Sequence, residues 1–95
     1  MGKFGWHSGY VRAQNIQSGL VDITTNSNGD GTASITFPAV LKSAPILIGT
    51  ANEQDITGTV SFTDITTVSA TIVVDGSSVT SGTLSVGWIL MDYSA

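Results

Sequence analysis

Ala33-Ser-Ile-Thr-Phe-Pro-Ala-Val-Leu-Lys-Ser-Ala-Pro-Ile-Leu-Ile-Gly49 holds both prolines of the chain, set between two apolar runs. Proline has no amide donor, so within a sheet it ends a strand's pairing or stands at its first residue. Pro38 therefore closes a strand ending at Phe37, and Pro45 opens the next at Ile46. The residues from 39 to 45 are too many for a two-residue hairpin. They predict a connection that carries the chain from one sheet to another.

Outward from this stretch the pattern is that of strands. Leu20–Thr25 alternates and ends in the turn cluster Asn26-Ser-Asn-Gly-Asp-Gly31, which predicts a hairpin with a second strand, Thr32–Phe37. Ile46–Ala51 is apolar almost throughout, as in a strand buried on both faces. Gly58–Ile65 alternates, with Val60, Phe62 and Asp64 on one face. A Thr66-Thr67 joint leads to Val68–Asp75, and a loop over 76–82 leads to Thr83–Asp92. No segment has helical period. Six short strands at this spacing predict an all-β, antiparallel sandwich or small barrel. The expected core is Ile35, Phe37, Leu47, Val60, Phe62, Ile72, Val74, Leu84, Val86 and Trp88. Gly87 reads as a bulge or a close backbone approach.

Ninety-five residues make one small domain whose isolated core is modest. The absence of cysteine excludes disulfides, zinc–thiolate sites and thiol chemistry, and the single histidine, His7, cannot build a multi-histidine metal site. Subunit association is therefore the expected extra source of stability. Three basic residues (Lys3, Arg12, Lys42) face seven acids, giving a net charge of −4, which argues against nucleic-acid binding. Ser and Thr supply about a quarter of the chain, a low-charge surface that suits secreted proteins and virus particles. The amino terminus lacks a signal peptide's apolar core, and no apolar run approaches the ~20 residues of a membrane helix. No membrane association is expected.

The first eighteen residues differ in kind. Phe4, Trp6 and Tyr10 alternate with Gly5, His7 and Gly9, and aromatic side chains are not normally left in water on a free terminus. They are expected to be buried on the domain itself, on a neighbouring subunit, or on a larger partner. The domain organisation is accordingly an arm over 1–18 and a sandwich over 19–95.

Three constellations bear on chemistry. Asn26-x-Asn28-x-Asp30-Gly31 resembles the opening of a calcium loop, but Phe37 stands where the bidentate glutamate belongs. The same residues suit a turn, and the turn is preferred. His7-Ser8 lacks an orienting acid and a nucleophile elbow. Glu53 and Asp55 read as a solvated turn rather than a glycosidase pair. With Asn52 and Gln54 they form a loop rich in donors and acceptors that could bind sugar hydroxyls. Trp88, set among Val86, Ile89, Leu90 and Met91, is read as core. No enzymatic activity, cofactor or metal is expected.

Ser18-Gly19, Ile35-Thr-Phe37-Pro38, Ser43-Ala-Pro45-Ile46 and Val86-Gly-Trp88-Ile89 together are similar to the H-type lectin-like domain, which also occurs in structural proteins of tailed bacteriophages. The likeness covers residues 17 to 92. It implies a six-stranded antiparallel sandwich that associates as trimers, in some cases paired into hexamers. Tyr10–Ser18 looks like the linkers leading into such domains in phage proteins. True H-type lectins bind N-acetylgalactosamine through polar residues that have no residue-by-residue counterpart here. The expectation is a non-enzymatic virion structural protein, made in the host cytoplasm. It would be a homotrimeric capsid decoration (cement) or head-fibre protein. Attachment to capsid or other virion proteins is assigned to Phe4, Trp6, His7, Tyr10 and Arg12 of the arm. The alternative is a carbohydrate-binding module or tail-fibre receptor-binding protein that contacts a cell-surface glycan through Asn52, Glu53, Gln54 and Asp55.

Overall fold

A computed structural model describes residues 15–92. It contains six strands, β1 (Asn15–Thr24), β2 (Gly31–Thr36), β3 (Ile46–Ala51), β4 (Thr59–Thr63), β5 (Ser69–Asp75) and β6 (Thr83–Asp92). They form two antiparallel three-stranded sheets, ordered β1-β6-β3 and β2-β5-β4. The all-β sandwich is therefore as expected. The bounds of β6 are as expected and those of β5 differ by one residue, while β4 is shorter than the expected Gly58–Ile65 and β1 starts at Asn15, earlier than the Leu20 expected. Asn15–Gly19 pairs with Asp92–Trp88 of the long final strand.

The crossing between the prolines does join two sheets, since β2 and β3 lie in different ones. It is tied down along its length. Phe37 N–H donates to Val68 O (2.8 Å) and Leu41 N–H to Thr67 O (2.9 Å), which lays the crossing against the β4–β5 turn. Leu41 is buried beneath it, a core residue that loop composition concealed.

The expected β1–β2 hairpin does not form. β1 and β2 lie in opposite sheets, so the turn at 25–30 is a second crossing. Its backbone bonds across to the 76–82 loop instead of zipping β2 onto β1. Thr25 N–H donates to Gly82 O (2.8 Å), Ser81 N–H to Asn26 O (2.8 Å) and Ser77 N–H to Gly29 O (3.0 Å). The turn chemistry itself is as read. Asn26 Oδ1 accepts from Asn28 N–H (2.8 Å) and Asp30 N–H (3.0 Å), an Asx-type turn. That oxygen and Asp30 Oδ1, which accepts from Gly76 N–H at 2.7 Å, serve the backbone of the turns.

Consecutive strands pair only in the β4–β5 hairpin. Its turn takes in residues 64–68, because Asp64 has a left-handed backbone (φ 51°) that ends β4 at Thr63. Asp64 therefore does not continue the Val60–Phe62 face. Thr66 Oγ1 closes the turn by accepting from Val68 N–H (3.2 Å) and Ser69 N–H (3.0 Å).

Between the sheets lie Ile23, Ile35, Phe37, Leu41, Ala70, Ile72, Val74, Leu84, Val86, Trp88 and Leu90, with Leu47, Val60 and Phe62 partly buried against them. One row organises this interior. Trp88 of β6 is the register partner of Gly19 on β1 and of Gly49 on β3. A Cβ on Gly19 would lie 2.7 Å from Trp88 Cζ2, and one on Gly49 would lie 2.9 Å from Phe62 Cζ. The bare backbone on either side of Trp88 thus makes room for its indole and for Phe62 of the opposite sheet. Phe37 completes the cluster, its ring 6.2 Å from that of Trp88 and tilted by 47°, within the range of favourable aromatic pairs. The Gly87 bulge is not present. Leu20, Gly87 and Thr50 pair in continuous register across the sheet.

Candidate interaction surfaces

The two outer faces of the sandwich differ sharply in chemistry. On the β2-β5-β4 sheet the outward positions are Thr32, Ser34, Thr36, Ser69, Thr71, Val73, Asp75, Thr59, Ser61 and Thr63, eight hydroxyl side chains of ten. Such a face is wetted mainly by hydroxyls, with Asp75 at the end of β5 as its one carboxyl group. The outward rows of the β1-β6-β3 sheet read Ile16–Met91–Ile46, then Ser18–Ile89–Ile48, then Leu20–Gly87–Thr50. Leu20 is 67% exposed, Ile16 65% and Ile48 55%, with Ile46 and Ile89 close behind. Asp22 is the one ionisable residue on this face of β1. Over Gly87 the missing side chain leaves a groove of about 500 Å³ walled by Leu20, Ile48, Thr50 and Ile89.

β3 is therefore not buried on both faces within one chain. Leu47 turns inward while Ile46 and Ile48 face out. The unbroken apolar runs Ile46-Leu-Ile48 and Ile89-Leu-Met91 were the sequence signal of this face. Burial inside one sandwich and burial against a second body leave the same signature in composition.

The ends of the sandwich differ as well. The strand directions bring the 25–30 turn, the 52–58 loop and the 76–82 loop together at one end. Asn52, Glu53, Gln54 and Asp55 are all exposed there, and Asn52 N–H is fixed to Ser85 O at 2.8 Å. Below them a cleft of about 180 Å³ is lined by residues that include Thr50, Ile56, Thr57, Thr59 and Ser77. The side chains of the expected sugar-binding loop are thus gathered on one accessible edge. No group of three or more His, Asp or Glu residues able to hold a metal occurs among the described residues.

The same end holds a carboxyl pair. Asp75 titrates above the ordinary 3.8 because it is hydrogen-bonded to the Asp30 side chain, then because of that neighbour's charge, and least through desolvation. A raised carboxyl pKa favours the folded state at low pH. The contribution is complete below about pH 3.8 and is lost as pH rises through the raised value. Asp75→Asn is expected to raise the thermal midpoint at neutral pH, with the gain shrinking toward pH 3.8. A midpoint that tracks the parent at every pH would show that the pair carries no such coupling.

The opposite end receives β1 at Asn15, the crossing over 37–45 and the β4–β5 turn. Phe4, Trp6, His7, Tyr10 and Arg12, the expected attachment residues, lie outside the described residues.

Comparison of the sequence with protein-family models and with curated proteins finds no match. The fold does have solved neighbours. The tailspike protein gp49 of Pseudomonas phage LKA1 is similar with a TM-score of 0.70 at 21% identity, over 85% of this chain. Discoidin II of Dictyostelium discoideum is similar with a TM-score of 0.62 at 19% identity, over 93% of this chain. The chain spans 15% of the tailspike protein and 41% of discoidin II. At these identities the likeness is one of fold, a β-sandwich shared with a domain-sized part of each.

Proposed function

We propose that the chain is a non-enzymatic structural module of a tailed-phage particle, of the H-type lectin-like kind. In this reading it assembles as a homotrimer and attaches through the arm that precedes β1, as a capsid decoration (cement) or head-fibre protein. The contrast between the two outer faces supports this reading most. A face of Ile16, Leu20, Ile46, Ile48 and Ile89 is costly to leave in water, and exposed aliphatic patches of this kind mark association surfaces. Copies related by rotation would bury it about a common axis and leave the hydroxyl face outward. The fold shared with a phage tailspike protein is in keeping with a virion location. Attachment falls to Phe4, Trp6, His7, Tyr10 and Arg12, because aromatic and arginine side chains are strong interface anchors. Deleting residues 1–12 is expected to leave a folded oligomer that no longer binds virus particles. A truncated chain that still bound them as the full chain does would remove the arm from the attachment role.

The polar end favours a second reading, a carbohydrate-binding or receptor-binding module. Asn52, Glu53, Gln54 and Asp55 stand exposed beside a small cleft, with donors and acceptors that match sugar hydroxyls. Specific glycan binding lost on their replacement by alanine would support it. A blank glycan array would count against it.

A further inference from the structure

Gly87 stands in the middle of β6, with Leu20 paired on one side and Thr50 on the other. Nothing inside the chain calls for a glycine there. Gly19 and Gly49 are bare because a Cβ would strike Trp88 or Phe62, at 2.7 and 2.9 Å. A Cβ on Gly87 would meet only Leu20 Cδ2, at 3.5 Å, an ordinary van der Waals contact. Its backbone is not left-handed either, since among the described glycines that conformation falls at Gly29, Gly58 and Gly76. A glycine inside a strand weakens it, and its usual reasons are a bulge, a tight bend or the close approach of another body. The continuous register through Leu20, Gly87 and Thr50 excludes the bulge. Close approach from outside the chain accounts for the bare position.

We propose that Gly87 seats the contact between copies, with an aliphatic side chain from the β1-β6-β3 face of a second copy packed onto its backbone. Two properties of the face identify a second copy as the occupant. It carries projections as well as a recess. Leu20 and Ile48, 67% and 55% exposed, rise on either side of a groove of about 500 Å³. A rotation between copies sets the projections of one over the recess of the next. The face is also nearly free of charge. Asp22 is the one ionisable residue at the outward positions of β1, β6 and β3. Identical copies can therefore meet here without the like-charge repulsion that a net charge of −4 would bring elsewhere. The assignment rests on the reading that copies bury this face, and it adds the residue that decides their fit.

The test compares the full-length parent with Gly87→Leu and Gly87→Ala by sedimentation over a range of concentrations. If the interface needed apolar area alone, leucine would leave association unchanged or strengthen it. Over an occupied recess it takes the neighbour's place instead. Overpacking of this kind is expected to lower the association constant by about tenfold to a hundredfold per contact. Gly87→Ala should lower it less, in the same direction. Its circular dichroism should match the parent, because the chain itself has room for the methyl group. That variant decides the matter where leucine disturbs the sheet. Variants that associate as tightly as the parent, or more tightly, would overturn the seat at Gly87 and leave the interface between copies standing. A parent that is itself a monomer would overturn both.

Discussion

Replacing Leu20 and Ile48 together with lysine is expected to break the protein into monomers while the sandwich stays folded. Both side chains point away from the core, so their loss should cost folding little, within the ~0.5 kcal/mol usual for surface positions. Between copies the result is different. Two ammonium groups would be pressed into a face whose neighbours are Ile16, Ile46 and Ile89, with only Asp22 on β1 to pair with. Burying an unpaired charge costs several kcal/mol, and each 1.4 kcal/mol is about tenfold in an association constant. The subunit affinity should therefore fall by roughly a thousandfold or more. Light scattering would read the fall in mass, and circular dichroism the unchanged unfolding midpoint. An oligomer that survived both lysines would place the interface elsewhere. A matching pair of lysines on the hydroxyl face, at Thr32 and Ser69, should leave the mass unaltered.

The second large effect lies inside the fold. Trp88→Ala is expected to unfold most of the population at moderate temperature. Removing a buried aromatic side chain costs about 3–5 kcal/mol, and small domains have little more than ~5 kcal/mol to lose. Trp88 is almost wholly buried and meets Phe37, Gly19 and the interior around Gly49. Gly19→Val probes the same row from the other side. Its Cβ would meet the indole at 2.7 Å, and overpacking of this kind costs about 1–3 kcal/mol. Chemical denaturation measures both variants. A Gly19→Val chain as stable as the parent would show that the glycine on β1 does not make room for the tryptophan.

These two regions differ in how far the sequence reveals them. Pro38 and Pro45 predicted a crossing because a missing amide hydrogen is a local fact, readable without knowing the partner strand. The alternation of Val60 and Phe62, or of Ile72 and Val74, was equally local. The turn at Asn26–Gly31 was recognisable as a turn for the same reason. Where the following strand would pair was not, because turn residues set the reversal and bonds to the distant 76–82 loop set the direction. The row Gly19–Trp88–Gly49 needs a register between residues far apart in the chain, and three separate glycine and tryptophan positions do not announce that they meet. The apolar outer face was visible only as excess hydrophobicity in Ile46–Ile48 and Ile89–Met91. Its direction required the sheet. The exposed loop Asn52–Asp55 was legible as a polar edge, and its neighbours at that end, the 25–30 and 76–82 segments, emerged only from the topology.

The central claim is that copies of this chain bury the β1-β6-β3 face against one another. The most direct measurement is the mass of the unmodified full-length protein in solution, by light scattering or sedimentation over a range of concentrations. Three chains of 9.8 kDa per particle, stable on dilution, is the predicted result. A single 9.8 kDa chain at the highest soluble concentration would contradict it.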